Sequence, residues 1–542
     1  MSRPSRRSAV RRRAGLVVCA LIAARPGLAS DAPASPSPAA AVADDVPAGL
    51  PAVSDAHVEE ALVAAGRNRP ALEAALAYFG ARGEPAKAAA VRFLVANMPG
   101  KGYIVTAWKA KDGTTVAYDP LAYPTFKEAV AAFDALEAAH GAIDAVRDHV
   151  VLDVETMTTA YLVRHVDNAF AAWRNAPPGQ RVAGPAFAEH VLPYRGSEEP
   201  LEDWLTPLLA RYATAPDEVV KASTPRACLD WVGGDAGRRV RFDERYYLHP
   251  TDQGFAEMER SGMGRCEDIT NMTTYAARAR GLAVAADYTP AWGHRDNNHA
   301  WPVLLDASGR GSEAGNAHAA KVYRKVFSLQ RDALPYVLPA GREPPNRFLA
   351  SKSQVDVTDQ YAPTTDVEVF LEAAALGGEA HAYLCVFNGG EWVAIAWAPV
   401  VGAKATFRRM GRGADGMLYL PAVHDGKALR PAAPPLVVGK DGAVTVLAGT
   451  GPGTTLTATA TTPEQVSVDT KEVTPVSHLA AGKTYVLSRF AGGWTEVKTF
   501  VAGAAPATFE ALPADGLYWL VEQGSKRLER PFVVEGGRQR FR

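Results

Sequence analysis

The sequence predicts a multidomain α+β protein: an α-helical N-terminal domain, a central α+β core and two tandem C-terminal β-sandwich modules. Three observations carry this. The chain has 542 residues, 47% hydrophobic and 22% charged, an ordinary globular composition spread over more residues than one hydrophobic core organises. Apolar residues recur at helical spacing up to about residue 180. Beyond residue 366 short apolar segments punctuated by Gly, Pro and Asp take over, and they repeat at a fixed offset.

Residues 1–30 have the composition of a signal peptide. Arg3, Arg6, Arg7, Arg11, Arg12 and Arg13 precede an apolar run from Ala14 to Ala24, and Gly27-Leu28-Ala29-Ser30 offers small residues for cleavage. The run is shorter than the roughly 20 residues of a membrane span, so a secreted or periplasmic protein with no integral span in the mature chain is expected. Removing the seven arginines of this segment leaves 51 Lys+Arg against 59 Asp+Glu, a formal charge of −8, which disfavours nucleic acid as a partner. Residues 31–53 are Ala, Pro, Ser and Asp without periodicity and read as a flexible linker.

The α-helical domain is expected over 54–180. Leu72, Leu76 and Phe79 share a helical face, as do Val91, Leu94 and Val95 before the stop at Met98-Pro99-Gly100. Thr125 with Glu128 forms a capping-box pattern that opens a helix carrying Phe126, Val130 and Phe133, closed by Gly141.

Residues 181–350 hold the segment with chemistry. Ile269, Met272, Ala276 and Ala279 mark one face of a helix that Gly281 ends, so Cys266 falls at the helix N-terminus. Unpaired amides and the macrodipole favour an anion there, which promotes the thiolate. Cys228, Cys266 and Cys385 are the only cysteines outside the signal, an odd number that leaves at least one thiol unpaired. After a β-compatible segment, Leu282 to Tyr288, and a polar loop, His299-Ala-Trp-Pro-Val-Leu-Leu305 reads as a strand with His299 at its start. A Cys at a helix N-terminus packed on a sheet that presents His is how papain-like enzymes form a thiolate–imidazolium pair.

Gly264-Arg-Cys266 opening a helix, Ala279-Arg-Gly281 closing it and His299-Ala-Trp301 beyond it resemble the core motif of the transglutaminase-like superfamily. The match covers about 255–330. Leu192-Pro-Tyr-Arg195 and Lys321-Val-Tyr-Arg-Lys325 are similar to exported bacterial multidomain members. The resemblance implies a papain-like fold and acyl transfer on peptide or glutamine amide bonds. Cys266 would be the nucleophile, His299 the general acid and base, and a Cys thioester the intermediate.

Family members usually add an Asp on the strand after the histidine strand, and this sequence departs from that pattern. Asp306 lies seven residues down the same strand, roughly 23 Å away, and Asp306-Ala-Ser-Gly309 is better read as a hairpin turn. Folding back there places Asn316 opposite His299, with Glu313 as the alternative third member. His294 belongs to a polar loop, Trp301 either packs or lines the cleft, and Glu267 and Asp268 cap the first turn of the Cys266 helix. His-Glu-x-x-His, paired Cys-x-x-Cys and a phosphate-cradling glycine loop are all lacking, so no cofactor and no metal are expected.

Tyr383, Trp392 and Ala405-Thr406-Phe407 recur 102 residues later as Tyr485, Trp494 and Ala507-Thr508-Phe509. Two β-sandwich modules, 366–455 and 456–542, follow from that offset. Their aromatics read as core, and Cys385 as a buried small hydrophobe. Two functions from different classes remain open. One is an exported cysteine enzyme acting on a protein or peptide substrate, with hydrolysis favoured over crosslinking. The other is a catalytically degenerate domain in a surface scaffold whose β-modules bind a cell-surface glycan or protein.

Overall fold

The computed structural model describes residues 46–176, 181–313, 315–463, 465–466, 473–474, 476–525 and 529–542. The chain is mixed α/β, with most helices before residue 280 and most strands after it. The expected signal peptide and residues 31–45 of the linker lie outside the described residues. Residues 46–53 are not a free spacer. Val46, Leu50 and Val53 pack against the main core, and the Ala48 carbonyl accepts the Gly184 N–H at 2.7 Å. Those three apolar side chains supply an anchor that the segment's average composition conceals. Among the described residues no helix is long and apolar enough to cross a membrane.

Helices Asp55–Ala64, Arg69–Gly80 and Pro85–Ala96 follow the apolar periodicity, and Leu72, Phe79, Val91, Leu94 and Val95 are buried. The helix Phe126–His140 begins with the Thr125–Glu128 capping box and ends where Gly141 takes φ 81°. The N-terminal region is nevertheless not wholly helical, a correction to the sequence reading. Gly102–Ala110 pairs antiparallel with Ile143–Leu152, and Trp108, Val116, Phe133 and Ile143 make a small core beneath this hairpin. Tyr103-Ile-Val-Thr106 and Val150-Val151 are β-formers, but their pairing depends on partners far along the chain. Helical periodicity alone does not report such partners.

One cluster of buried apolar residues runs from Val58 through Phe170, Trp204, Met272 and Tyr275 to Phe327. The helical region and the Cys266 helix therefore share a core. The helix Cys266–Arg278 ends before Gly281, whose φ is 69°. A Cβ on Gly281 would stand 2.6 Å from the Ala172 carbonyl oxygen, so the turn requires glycine both for conformation and for close approach. The chain then enters a four-stranded antiparallel sheet. Its order is His299–Leu304, Val284–Thr289, Tyr323–Lys325, Gln354–Asp356, which leaves the His299 strand at one edge.

The two C-terminal modules repeat in three dimensions. In each, the second strand (His381–Asn388; Thr484–Phe490) pairs with the third (Glu391–Val401; Trp494–Val501) and with the fifth (Met417–His424; Tyr518–Glu522). The fourth (Lys404–Gly411; Ala507–Pro513) pairs with the first (Thr364–Phe370; Gly453–Ala458). Irregularities repeat as well. Ile395 and Val497 are the extra residues of matching bulges, and Arg409 and Ala511, 102 residues apart, share positive φ (49° and 55°).

Among the described residues each module has one hydrogen-bonded path of seven strands, with an eighth, Leu429–Pro431, paired off it in the first, rather than the two separate facing sheets expected of a sandwich. Strand existence is a local property, whereas strand order is not. Burial on both faces of one strand explains the continuous apolar run at 383–387. Leu384 and Val386 enter the first module's own core, while Tyr383, Cys385 and Phe387 face a second cluster with Phe490, Leu517 and Val533 of the other module. Trp392, Trp494 and Trp519 pack there too, so these aromatics join the modules to each other, and Cys385 is fully buried.

Candidate active site

Cys266 is the first residue of its helix, as the apolar face and the Gly281 stop suggested, and is 6% exposed. Asp268 closes the N-terminus: its carboxylate accepts the N–H groups of Arg265 (2.9 Å) and Gln253 (3.1 Å). Arg265 in turn reaches Asp252 at 2.6 Å and Glu267 at 3.5 Å. Burial alone would raise the Glu267 carboxyl, but Arg265 and Arg347 outweigh it and hold the group down at about 2. Glu267 is therefore an acceptor at neutral pH, and the Cys266 thiol donates to it at 3.0 Å. None of Cys228, Cys266 and Cys385 is in a disulfide.

His299 opens its strand as expected, paired with Thr289. The helix and this strand meet at one end of the sheet because the chain leaves the helix C-terminus, runs up Val284–Thr289 and returns through the loop. The bond that joins them falls one residue to the side of each predicted residue. Asn298 Nδ2 donates to Glu267 Oε1 at 3.3 Å. Strand alternation explains the offset. Val284 lies in the core that includes Met272 and Ala276 of the helix, and Leu304, its cross-strand partner, packs against the same core. That face also carries Ala300 and Tyr288. His299 and Trp301 point to the other face, where the His299 ring lies 5.4 Å from Trp301 and 6.5 Å from Trp292. The two segments are thus brought together at the edge strand of the sheet.

On the His299 face a buried network fixes the sheet. Trp301 is 2% exposed and donates through Nε1 to Tyr361 (3.0 Å), whose hydroxyl donates to Asp287 (2.7 Å). Arg324 pairs with Asp287 through two bonds of 2.8 Å. Trp301 is thus a packing residue. His294 also differs from a solvated loop residue, since its ring meets Trp292 and His318 and burial pushes it down to about 3.

The expected third member is not delivered by the fold. The Asp306 turn forms, with Asp306 accepting from Ser308 and Arg310, but the chain beyond it does not pair with the His299 strand. That strand's one partner in the sheet is the strand before it, and the chain next pairs with the far side of Val284–Thr289. Asn316 instead donates to the Glu313 carbonyl at 3.4 Å, and Glu313 lies 3.5 Å from Arg226. The hairpin geometry failed because register was extrapolated from a turn whose second arm is irregular chain.

Sequence reasoning missed what holds the loop before His299. Asn388, at the end of a first-module strand, donates through Nδ2 to the carbonyls of Trp292 (2.9 Å), Arg295 (3.1 Å) and Asn297 (2.9 Å), and accepts the Asn297 N–H at 3.1 Å. Gly389 N–H donates to Asp296 at 2.7 Å. Arg530, 1% exposed in the second module, donates to the Gly293 carbonyl at 2.6 Å and to the Phe387 carbonyl at 2.7 Å. Asn388-Gly-Gly reads locally as a turn, and nothing near Arg530 signals a distant partner.

Beside Glu267 and Asn298 opens a cleft of about 560 Å³, also lined by Ala300, Tyr288, Arg195 and Asp252. The base of the Gly102–Leu152 hairpin forms its far wall. Among the described residues no group of three or more His, Cys, Asp or Glu side chains is placed to hold a metal ion. No known family model matches the chain and no curated protein is found similar to it, so what can be said of its activity rests on this geometry.

Proposed function

We propose that the chain is a transglutaminase-like cysteine enzyme that cleaves peptide or glutamine amide bonds through a thioester on Cys266. The observation that carries the reading is the Asn298–Glu267 bond, which ties the first turn of the Cys266 helix to the chain entering the His299 strand, both bonded residues lining the cleft. In the reaction the Cys266 thiolate adds to the amide carbonyl. The oxyanion is met by the Cys266 backbone N–H, and His299 protonates the leaving amine. Water then resolves the thioester to a carboxylate and regenerates the thiol. In the structure the thiol donates to Glu267, and the reading has its proton pass to His299 as the thiolate forms and from there to the leaving amine.

A second reading is favoured by the packing of the His299 ring beside Trp301 and Trp292: a catalytically degenerate domain in a surface scaffold. Alkylation separates the two. Under the enzyme reading, iodoacetamide modifies Cys266 faster than Cys228 or Cys385 at neutral pH, and His299→Ala slows it. Modification of Cys266 no faster than an ordinary thiol, and indifferent to His299→Ala, would favour the scaffold.

A further inference from the structure

The cleft beside Cys266 collects positive charge that the fold does not neutralise. Lys101, Arg147, Arg195, Lys325, Arg347 and Lys352 line it, against Glu198, Asp252 and Glu267. Arg195 is committed to Asp153 behind the wall. Among the described residues the other five cations have no carboxylate within the 4.0 Å of an ion pair. All but Arg147 rest on rings, Lys325 at 6.0 Å from Tyr288, and Lys101 also on a hydroxyl. Lys101 donates to Ser353 Oγ at 2.9 Å and lies 4.4 Å from the Phe327 ring; Arg347 lies 4.9 Å from Phe348 and Lys352 4.7 Å from Tyr336. Two of the three carboxylates are meanwhile engaged by Arg265, at 2.6 Å for Asp252 and 3.5 Å for Glu267. Six cations thus line the cleft against three carboxylates, with Lys325 and Arg347 acting on Glu198 and Asp252 and Arg347 also on Glu267 without a contact ion pair, so positive charge is in excess in a concave, partly desolvated space, where fields are stronger than on an open surface.

We propose that this cleft is an acidic-peptide site, in which carboxylates flanking the scissile amide are held by Lys325 and Arg347 near Cys266 and by Lys101, Arg147 and Lys352 along the hairpin wall. The assignment rests on the amide-substrate reading above and adds the substrate class. A peptide fits better than an isolated anion because the cations are distributed along the cleft, from the sheet edge to the hairpin base, rather than gathered at one point. Lys101 shows the unmet demand. Burial outweighs the carboxylates of Asp153 and Glu189 and pushes its ammonium down to about 8, a cost that a bound carboxylate would relieve.

The test uses the full chain carrying Cys266→Ala and short fluorescein-labelled peptides with one central glutamine flanked by glutamates, by serines or by lysines. Fluorescence anisotropy at low salt should give the glutamate peptide an affinity at least about tenfold above the serine peptide, with the lysine peptide weakest. That affinity should fall with added NaCl and fall again between pH 7 and 9 as Lys101 loses its proton. Arg147→Glu, at an exposed hairpin position, and Lys352→Glu should each weaken it about fivefold or more. Equal affinities for glutamate and serine peptides, or no response to either variant, would overturn the proposal. So would a galacturonate oligomer of equal charge binding as tightly as the glutamate peptide. No thiol takes part in this assay, so an inert Cys266 would refute the enzyme reading and leave the binding result standing.

Discussion

Asn388→Ala tests whether the β-modules hold the loop before His299. The side chain is 8% exposed and makes four contacts of 2.9–3.1 Å with residues 292–297. Nδ2 has only two hydrogens for three carbonyls, so the loss amounts to roughly three full hydrogen bonds. At about 0.5–1.5 kcal/mol net for each, the loop should lose about 2–4 kcal/mol of local stability. Because about 1.4 kcal/mol is a factor of ten, amide hydrogen exchange across 292–298 should quicken about 30- to 1000-fold. The Trp292 and Asn297 amides are the reporters, since one bonds within the loop to Asn297 O at 3.0 Å and the other to Asn388. Exchange in the second module should be unchanged. Unaltered exchange at 292–298, or faster exchange spread evenly through both modules, would refute the claim.

Two further outcomes concern stability. His165 and His190 are pushed by burial down to about 4 and about 3, so between pH 6.5 and 4 the unfolded chain binds protons that the folded chain does not. Stability is retained above pH 6.5 and falls as the pH drops through that window, which a lower urea midpoint at pH 5 than at pH 7 would register; His190→Asn should flatten the slope. Gly281→Ala combines a left-handed φ with a Cβ 2.6 Å from the Ala172 carbonyl oxygen and 2.9 Å from the Trp173 Cα. It should cost about 2–4 kcal/mol, seen as an earlier loss of helical circular dichroism on heating.

Local signals were legible in the sequence, and non-local ones were not. The Thr125–Glu128 box, the helix ends at Gly141 and Gly281, the helix start at Cys266 and the strand start at His299 are set by residues within a turn or two of each other. The module repeat was legible because its aromatics and its Ala-Thr-Phe triplet keep one offset. Pairings across long separations were missed. These include the hairpin of Gly102–Ala110 with Ile143–Leu152, the sheet order in which the chain after Asp306 does not pair with the His299 strand, and the grip of Asn388 and Arg530 on the loop. A residue's face on a strand follows from alternation, but which face the Cys266 helix covers depends on the connection. That is why the sequence could name Cys266 and His299 together yet not foresee the Asn298–Glu267 bond between their segments.

The most direct test mixes the full chain with a glutamine-containing, glutamate-flanked peptide, quenches in acid and weighs the intact protein while ammonia is assayed. The account predicts an acyl adduct on Cys266, released ammonia, conversion of the glutamine to glutamate, and loss of all three in Cys266→Ala. An unmodified chain and no ammonia would contradict it.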